Sequence, residues 1–197
     1  MSTTYYVSSC EELSWDLAEK QALSPCVWSP TPPPFVTMQA LWQPGKALSF
    51  RLESEAPPSR AENREADSPV WQDDCLECFF TLDGLNYVNM EANANGALLS
   101  AVGPDRSCRT PLAHMALPRP TVRCKPRSGG WEAVFSVSAE TLRQLFGKEL
   151  AAGLCVRANF YACGDLTPRP YYAAWSRVDT PTPDFHRPDF FGSLVLL

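Results

Sequence analysis

Glu77 and Glu91 are the residues of this chain best placed to do chemistry. Each sits in a short run where apolar and polar residues alternate, as do Arg51, Asn89, Asn93, Arg157, Asn159 and Tyr161. Successive side chains of a strand face opposite ways, so all of these fall on the polar side of their runs. Carboxylates, amides and guanidinium groups present planar, paired hydrogen-bonding positions that suit the hydroxyls of a sugar. Aromatic rings pack on the apolar faces of pyranoses. Trp71 precedes the Glu77 run, and Trp175, Phe185, His186 and Arg187 follow the Tyr161 run.

Three readings of these residues stay open. They can grip a sugar without cutting it. Glu77 and Glu91 can be the paired carboxylates of a glycoside hydrolase. Or they are structural, with Arg51–Glu77 and Glu91–Arg157 as ion pairs tying neighbouring strands, which spacing alone favours. Hydrolysis is disfavoured, because ion partners would hold both acids ionised while a general acid needs a raised pKa. The chain also lacks a Ser–His–Asp signature and a phosphate loop. Trp71 and Trp175 taken alone read as packing residues, and His186 as a loop anchor.

Eight cysteines, with no leader visible ahead of them, read as free thiols. Cys75 and Cys78 form a CxxC, but in a strand residues three apart face opposite sides. No second CxxC completes a zinc site, so no metal is expected.

The elements that must carry these residues are strands. Alternation is clear over 48–53, 75–82, 88–93, 131–137 and 154–162, and residues 192–197 form a last strand. Asp83-Gly84-Leu85-Asn86 turns one hairpin. A single short helix is predicted over 138–146, capped by Ser138 and ended by Gly147. Residues 54–69 read as a long exposed loop. Residues 24–34, rich in proline, read as a strap across the fold, held because Trp28 and Phe35 seek burial. The expected architecture is all-β, an antiparallel β-sandwich or partly open barrel with one short helix. The 197 residues suit one domain, with 1–35 as an N-terminal strap.

Net charge is −5 and there is no basic run, so no nucleic-acid partner is expected. No stretch approaches the ~20 apolar residues of a membrane span. The first ten residues do not read as a signal peptide, which places the chain in the cytoplasm, or outside the cell if its start is processed.

The run Val70-Trp71-Gln72-Asp73-Asp74-Cys75-Leu76-Glu77-Cys78-Phe79-Phe80 resembles the acidic strand motif of the family 9 carbohydrate-binding modules, which are DOMON-like β-sandwiches of the immunoglobulin or jelly-roll kind. Tyr87 to Asn93 is similar to a strand of the stand-alone bacterial relatives, as are Gly103, Arg106 and Arg109 to their Gly–Arg–Arg loop. So are Asn159 to Asp165 and Pro183 to Gly192. The resemblance covers residues 36–197. It implies a non-catalytic module whose partner is a carbohydrate. Trp71 would stack on the sugar, and Glu77, Glu91 and Arg187 would bond hydroxyls. Asn89, Arg157, Asn159, Tyr161, Trp175 and His186 would shape the remaining pocket. No cofactor is implied, although some members hold structural calcium. The chain departs from the family at Glu91, where the enzyme-appended modules carry arginine. It departs from the stand-alone relatives at Ala162 and Tyr171, where they carry lysine and histidine. These departures keep open an interaction domain that retained the fold and lost the sugar.

Overall fold

A computed structural model describes residues 3–197. Its strands are β1 (Thr4–Ser9), β2 (Gln21–Ala22), β3 (Ser24–Pro25), β4 (Val36–Gln43), β5 (Ala47–Ser54), β6 (Cys75–Thr81), β7 (Tyr87–Asn93), β8 (Leu98–Gly103), β9 (Thr110–Pro111), β10 (Thr121–Arg127), β11 (Gly130–Ser138), β12 (Cys155–Cys163), β13 (Tyr172–Ala174) and β14 (Gly192–Leu196). One α-helix, α1 (Ala139–Phe146), follows β11. It starts where Ser138 Oγ accepts the Thr141 N–H at 3.0 Å and stops at Gly147, whose φ of 64° is left-handed. The cap and the stop are those expected from sequence.

The strands join in one sheet ordered β10-β11-β5-β4-β1-β14-β12-β6-β7-β8-β9. An antiparallel sheet was expected, and the sheet is mixed. β1 runs parallel to both its neighbours, β4 and β14, and is the seam between the two halves. The expected runs do not include β1 and β4, yet both alternate: Tyr5 and Val7 of β1, and Val36, Met38, Ala40 and Trp42 of β4, face the core.

The sheet curls so that both halves turn their apolar sides to one core. Phe50 of β5 lies 5.7 Å from Phe80 of β6 and 5.3 Å from Phe160 of β12, ring centre to ring centre. Trp175 packs on Phe160 at 5.6 Å and donates from its indole to Gln21 Oε1 at 2.7 Å. Ahead of β4, the short β2 pairs with β4, and β3, at the start of the proline-rich segment, pairs with β13. Trp28 of that segment is partly buried, but Phe35 is exposed, contrary to expectation, because it sits just before β4 on the solvent side.

The ion pairs expected between strands do not form. Arg51 belongs to the other half of the sheet, where it bonds Gln39 Oε1 and lies over the Trp15 ring. Arg157 donates to the Phe191 and Gly192 carbonyls instead of pairing with Glu91.

Candidate functional site

Strands β12, β6 and β7 are neighbours, and their register sets the non-core side chains in rows. Tyr161, Glu77 and Glu91 form one row, Asn159, Phe79 and Asn89 the next, and Cys163, Cys75 and Asn93 a third. The alternation anticipated this face correctly. It did not anticipate that the face is buried: every one of these nine residues is. The cover is the segment from Pro183 to Phe191 together with residues 26–28. Phe185 stacks on Tyr161 with centroids 4.0 Å apart, and the Tyr161 hydroxyl donates to the Phe185 carbonyl at 3.1 Å. His186 packs on Phe79 at 5.0 Å, and its Nδ1 shares a 2.9 Å hydrogen bond with the Tyr87 hydroxyl.

Between floor and cover lies a cavity of about 420 Å³. That falls in the ~300–1,000 Å³ range of small-molecule sites. Glu77, Asn89 and Glu91 form its polar floor, and Trp28, Trp71, Tyr172 and Phe185 its aromatic walls. Trp71 stays 37% exposed. Its backbone is pinned all the same, because the Trp71 carbonyl accepts the Asp165 N–H at 3.1 Å and the Gln72 carbonyl accepts that of Leu166 at 3.0 Å.

The two acidic residues after Trp71 hold the long loop in place. Asp74 Oδ2 accepts the Ser59 and Arg60 N–H groups at 2.6 and 2.9 Å, and its Oδ1 accepts the Tyr171 hydroxyl at 2.8 Å. Asp73 Oδ2 accepts the Asn63 N–H at 2.9 Å and the Asn93 amide at 2.7 Å, while Arg60 Nε lies 3.1 Å from Oδ1. The loop expected to be exposed is thereby tied down, and its Asp67 reaches the cavity wall.

Neither floor carboxyl has a basic partner. Glu77 Oε1 accepts the Cys163 thiol at 3.0 Å, and Glu91 Oε1 accepts the Asn89 amide at 2.8 Å. Arg109 lies near them but donates to Asn89 Oδ1 and to the Ala101 and Gly103 carbonyls at 2.9 and 3.0 Å, with its guanidinium 4.1 Å above the Tyr87 ring. Burial, and then the charge of Glu91, push the Glu77 carboxyl well above the usual range. Burial lifts Glu91 to about 7 against the pull of the Asn89 bond and of Arg109. Burial, and then Arg109 and Arg106, hold His186 down at about 3, so the ring is neutral. The expectation that ion partners would keep both acids ionised is therefore overturned.

Cys75, Glu77 and Cys163 place three ligating atoms within 4.8 Å of one another. They come together across β6 and β12, not through the CxxC, whose Cys78 faces the main core. Such a donor set is of the kind zinc takes. As it stands it is a closed hydrogen-bonded group, with burial pushing the Cys75 thiol up to about 12. All eight cysteines are free.

Of the residues singled out in the sequence, Trp71, Glu77, Asn89, Glu91 and His186 share the cavity wall. Five lie elsewhere. Tyr161 is under Phe185, Trp175 is in the main core, and Asn159 brackets Ser176, bonding its N–H and carbonyl at 2.8 Å each. Arg157 caps the Phe191 and Gly192 carbonyls, and Arg187 lies 3.6 Å from Asp189 and over Phe190. The wall also includes Trp28, Tyr172 and Asp165, which no spacing signal marks. Arg106 and Arg109 were visible only as a motif. Gly103 explains their place, since a side chain there would collide with the Cys108 carbonyl oxygen as the loop folds back over β8.

The family described as carbohydrate-binding family 9 matches residues 10–196. Solved structures share the fold. A putative carbohydrate-binding protein of Bacteroides uniformis has a TM-score of 0.84 at 24% identity, covering 100% of both chains. Two structures of a family 9 module from Caldicellulosiruptor kristjanssonii, one in complex with cellotriose and one with glucose, have TM-scores of 0.66 and 0.65 at 15% and 18% identity. They cover 98% and 99% of this chain and 93% and 96% of theirs. No curated protein sequence matches the chain.

Proposed function

The chain belongs to carbohydrate-binding family 9, and from that premise we propose that it is a non-catalytic module that holds a sugar in the cavity between Trp71 and the Pro183–His186 segment. One observation carries this reading. The cavity sets a half-exposed indole and three further aromatic walls above a floor of two carboxyls and an amide. A pyranose needs both, one for its apolar C–H face and one for its hydroxyls. Two buried donors of the same wall, Trp28 Nε1 and Arg109 Nε, have no partner in the protein. Hydroxyl oxygens would supply the acceptors they lack. Within this reading the two halves of the curled sheet are the faces of a DOMON-like β-sandwich, and residues 1–197 are one module with 1–35 as its strap.

The test is a titration of tryptophan fluorescence with glucose, cellotriose and a wider glycan panel, beside Trp71→Ala. Binding that falls at least tenfold in the variant is expected. A flat response from folded protein at millimolar sugar would leave an interaction domain on a retained scaffold.

Hydrolysis is the second reading, favoured by the raised pKa of the Glu77–Glu91 pair. Turnover of any aryl glycoside that Glu77→Gln abolishes would establish it over simple binding.

A further inference from the structure

The charges that line the cavity are unequal. Five acidic side chains, Asp67, Glu77, Glu91, Asp165 and Asp184, face two arginines. Neither arginine bonds a floor carboxyl. Arg106 lies 3.6 Å from Asp184, and Arg109 is spent on Asn89, on two carbonyls and on the Tyr87 ring. Glu77 and Glu91 are direct register partners on β6 and β7, both at most 4% exposed. Like charges directly opposite across a strand pair oppose each other. A buried carboxylate without a counter-charge is costlier still. Protonation relieves the pair by removing charge, and a bound cation would relieve it by balancing charge; a neutral sugar does neither.

We propose that the ligand is a sugar bearing an ammonium group, an amino sugar, whose nitrogen seats between the Glu77 and Glu91 carboxyls. This rests on the reading of the cavity as a sugar site. An ammonium offers three N–H donors and no acceptor, which matches a floor of carboxyl oxygens. Of these, Glu77 bonds only thiol and Glu91 only the Asn89 amide. The aromatic walls suit a cation as well as a sugar ring, because Trp71, Trp28 and Tyr172 line the cavity and aromatic rings attract positive charge. N-acetylation would remove the charge.

The experiment is calorimetric titration of the intact protein with glucosamine, glucose and N-acetylglucosamine at one pH and one ionic strength. Glucosamine is expected to bind at least tenfold more tightly than the other two. Glu77→Gln and Glu91→Gln, checked for folding by circular dichroism, should bring the glucosamine-to-glucose ratio close to one. Glucose or N-acetylglucosamine binding as tightly as glucosamine would overturn the amino-sugar assignment and leave the sugar site standing. A ratio unchanged in both variants would overturn the seat between the two glutamates. Failure of all three sugars, and of the wider panel, would remove the sugar reading and this inference with it.

Discussion

At the scale of single residues, the floor of the cavity couples stability to pH in two opposite directions. Burial raises Glu91 from 4.5 to about 7 and pushes Glu77 well above its ordinary value too. Between those values the folded state holds protons that the unfolded chain has released. The stabilisation is therefore complete below the unfolded pKa and is lost as pH rises through about 7. The groups facing Glu91 are Glu77, Asn89, Arg109, Arg106 and Asp165; burial outweighs the lowering pull of Asn89 and the two arginines, and Asp165 adds to the rise. His186 works the other way. Its pKa is depressed from 6.5 to about 3, so its contribution is complete above 6.5 and is lost as pH falls toward 3. Glu91→Gln cannot ionise, so its melting temperature should decline less than that of the parent between about pH 5 and pH 7.5. The difference should amount to at most about 3 kcal/mol. Parallel melting curves across that range would show that Glu91 is not protonated by burial.

At the scale of elements, two short segments do work that their length conceals. The loop from Glu55 to Pro69 has no strand or helix, yet Asp73 and Asp74 give it a fixed course. Asp73→Ala strips acceptors from the Asn63 N–H, the Asn93 amide and Arg60 at once. It should cost about 2–4 kcal/mol, and limited proteolysis should then cut first within 55–69. Protection equal to that of the parent would mean the loop is held by its apolar contacts alone. The helix α1 depends on its ends. Ser138→Ala removes the acceptor for the Thr141 N–H and should lower stability by about 1 kcal/mol, read from denaturant midpoints. A null effect there would show that the Ser138–Thr141 bond adds nothing to the packing of Leu142 and Phe146.

At the scale of the whole molecule, one core serves both halves of the sheet, and a parallel strand joins them. Phe50 touches rings from the opposite half and is fully buried. Phe50→Ala should cost about 3–5 kcal/mol. It should shift the far-ultraviolet dichroism and tryptophan fluorescence transitions by the same amount, because the damage is shared. Two separated transitions would show that the halves unfold independently. The seam is equally exacting. Gly192 begins β14 beneath the Trp175 ring, where a Cβ would sit 2.5 Å from an indole carbon.

Much of this was legible in the sequence because alternation is a local signal. The runs that became β5, β6, β7, β11, β12 and β14, and the capped helix, each bury one face against one core, so the period of two and the cap show in the residues themselves. The same alternation marked Glu77, Asn89 and Glu91 as facing away from that core. What lies over them was not legible. Sequence could not say that Pro183–Phe191 and Trp28 would fold down on this face, turning an outer surface into a buried floor. Nor could it say that Arg51 would stand in the other half of the sheet and Arg157 would cap carbonyls, leaving both glutamates without a cation. Periodicity reports which side of a strand a residue is on. Which strands become neighbours, and what covers them, depends on contacts between residues far apart in the chain. Only the tertiary structure decided those, and with them the charge and shape of the cavity.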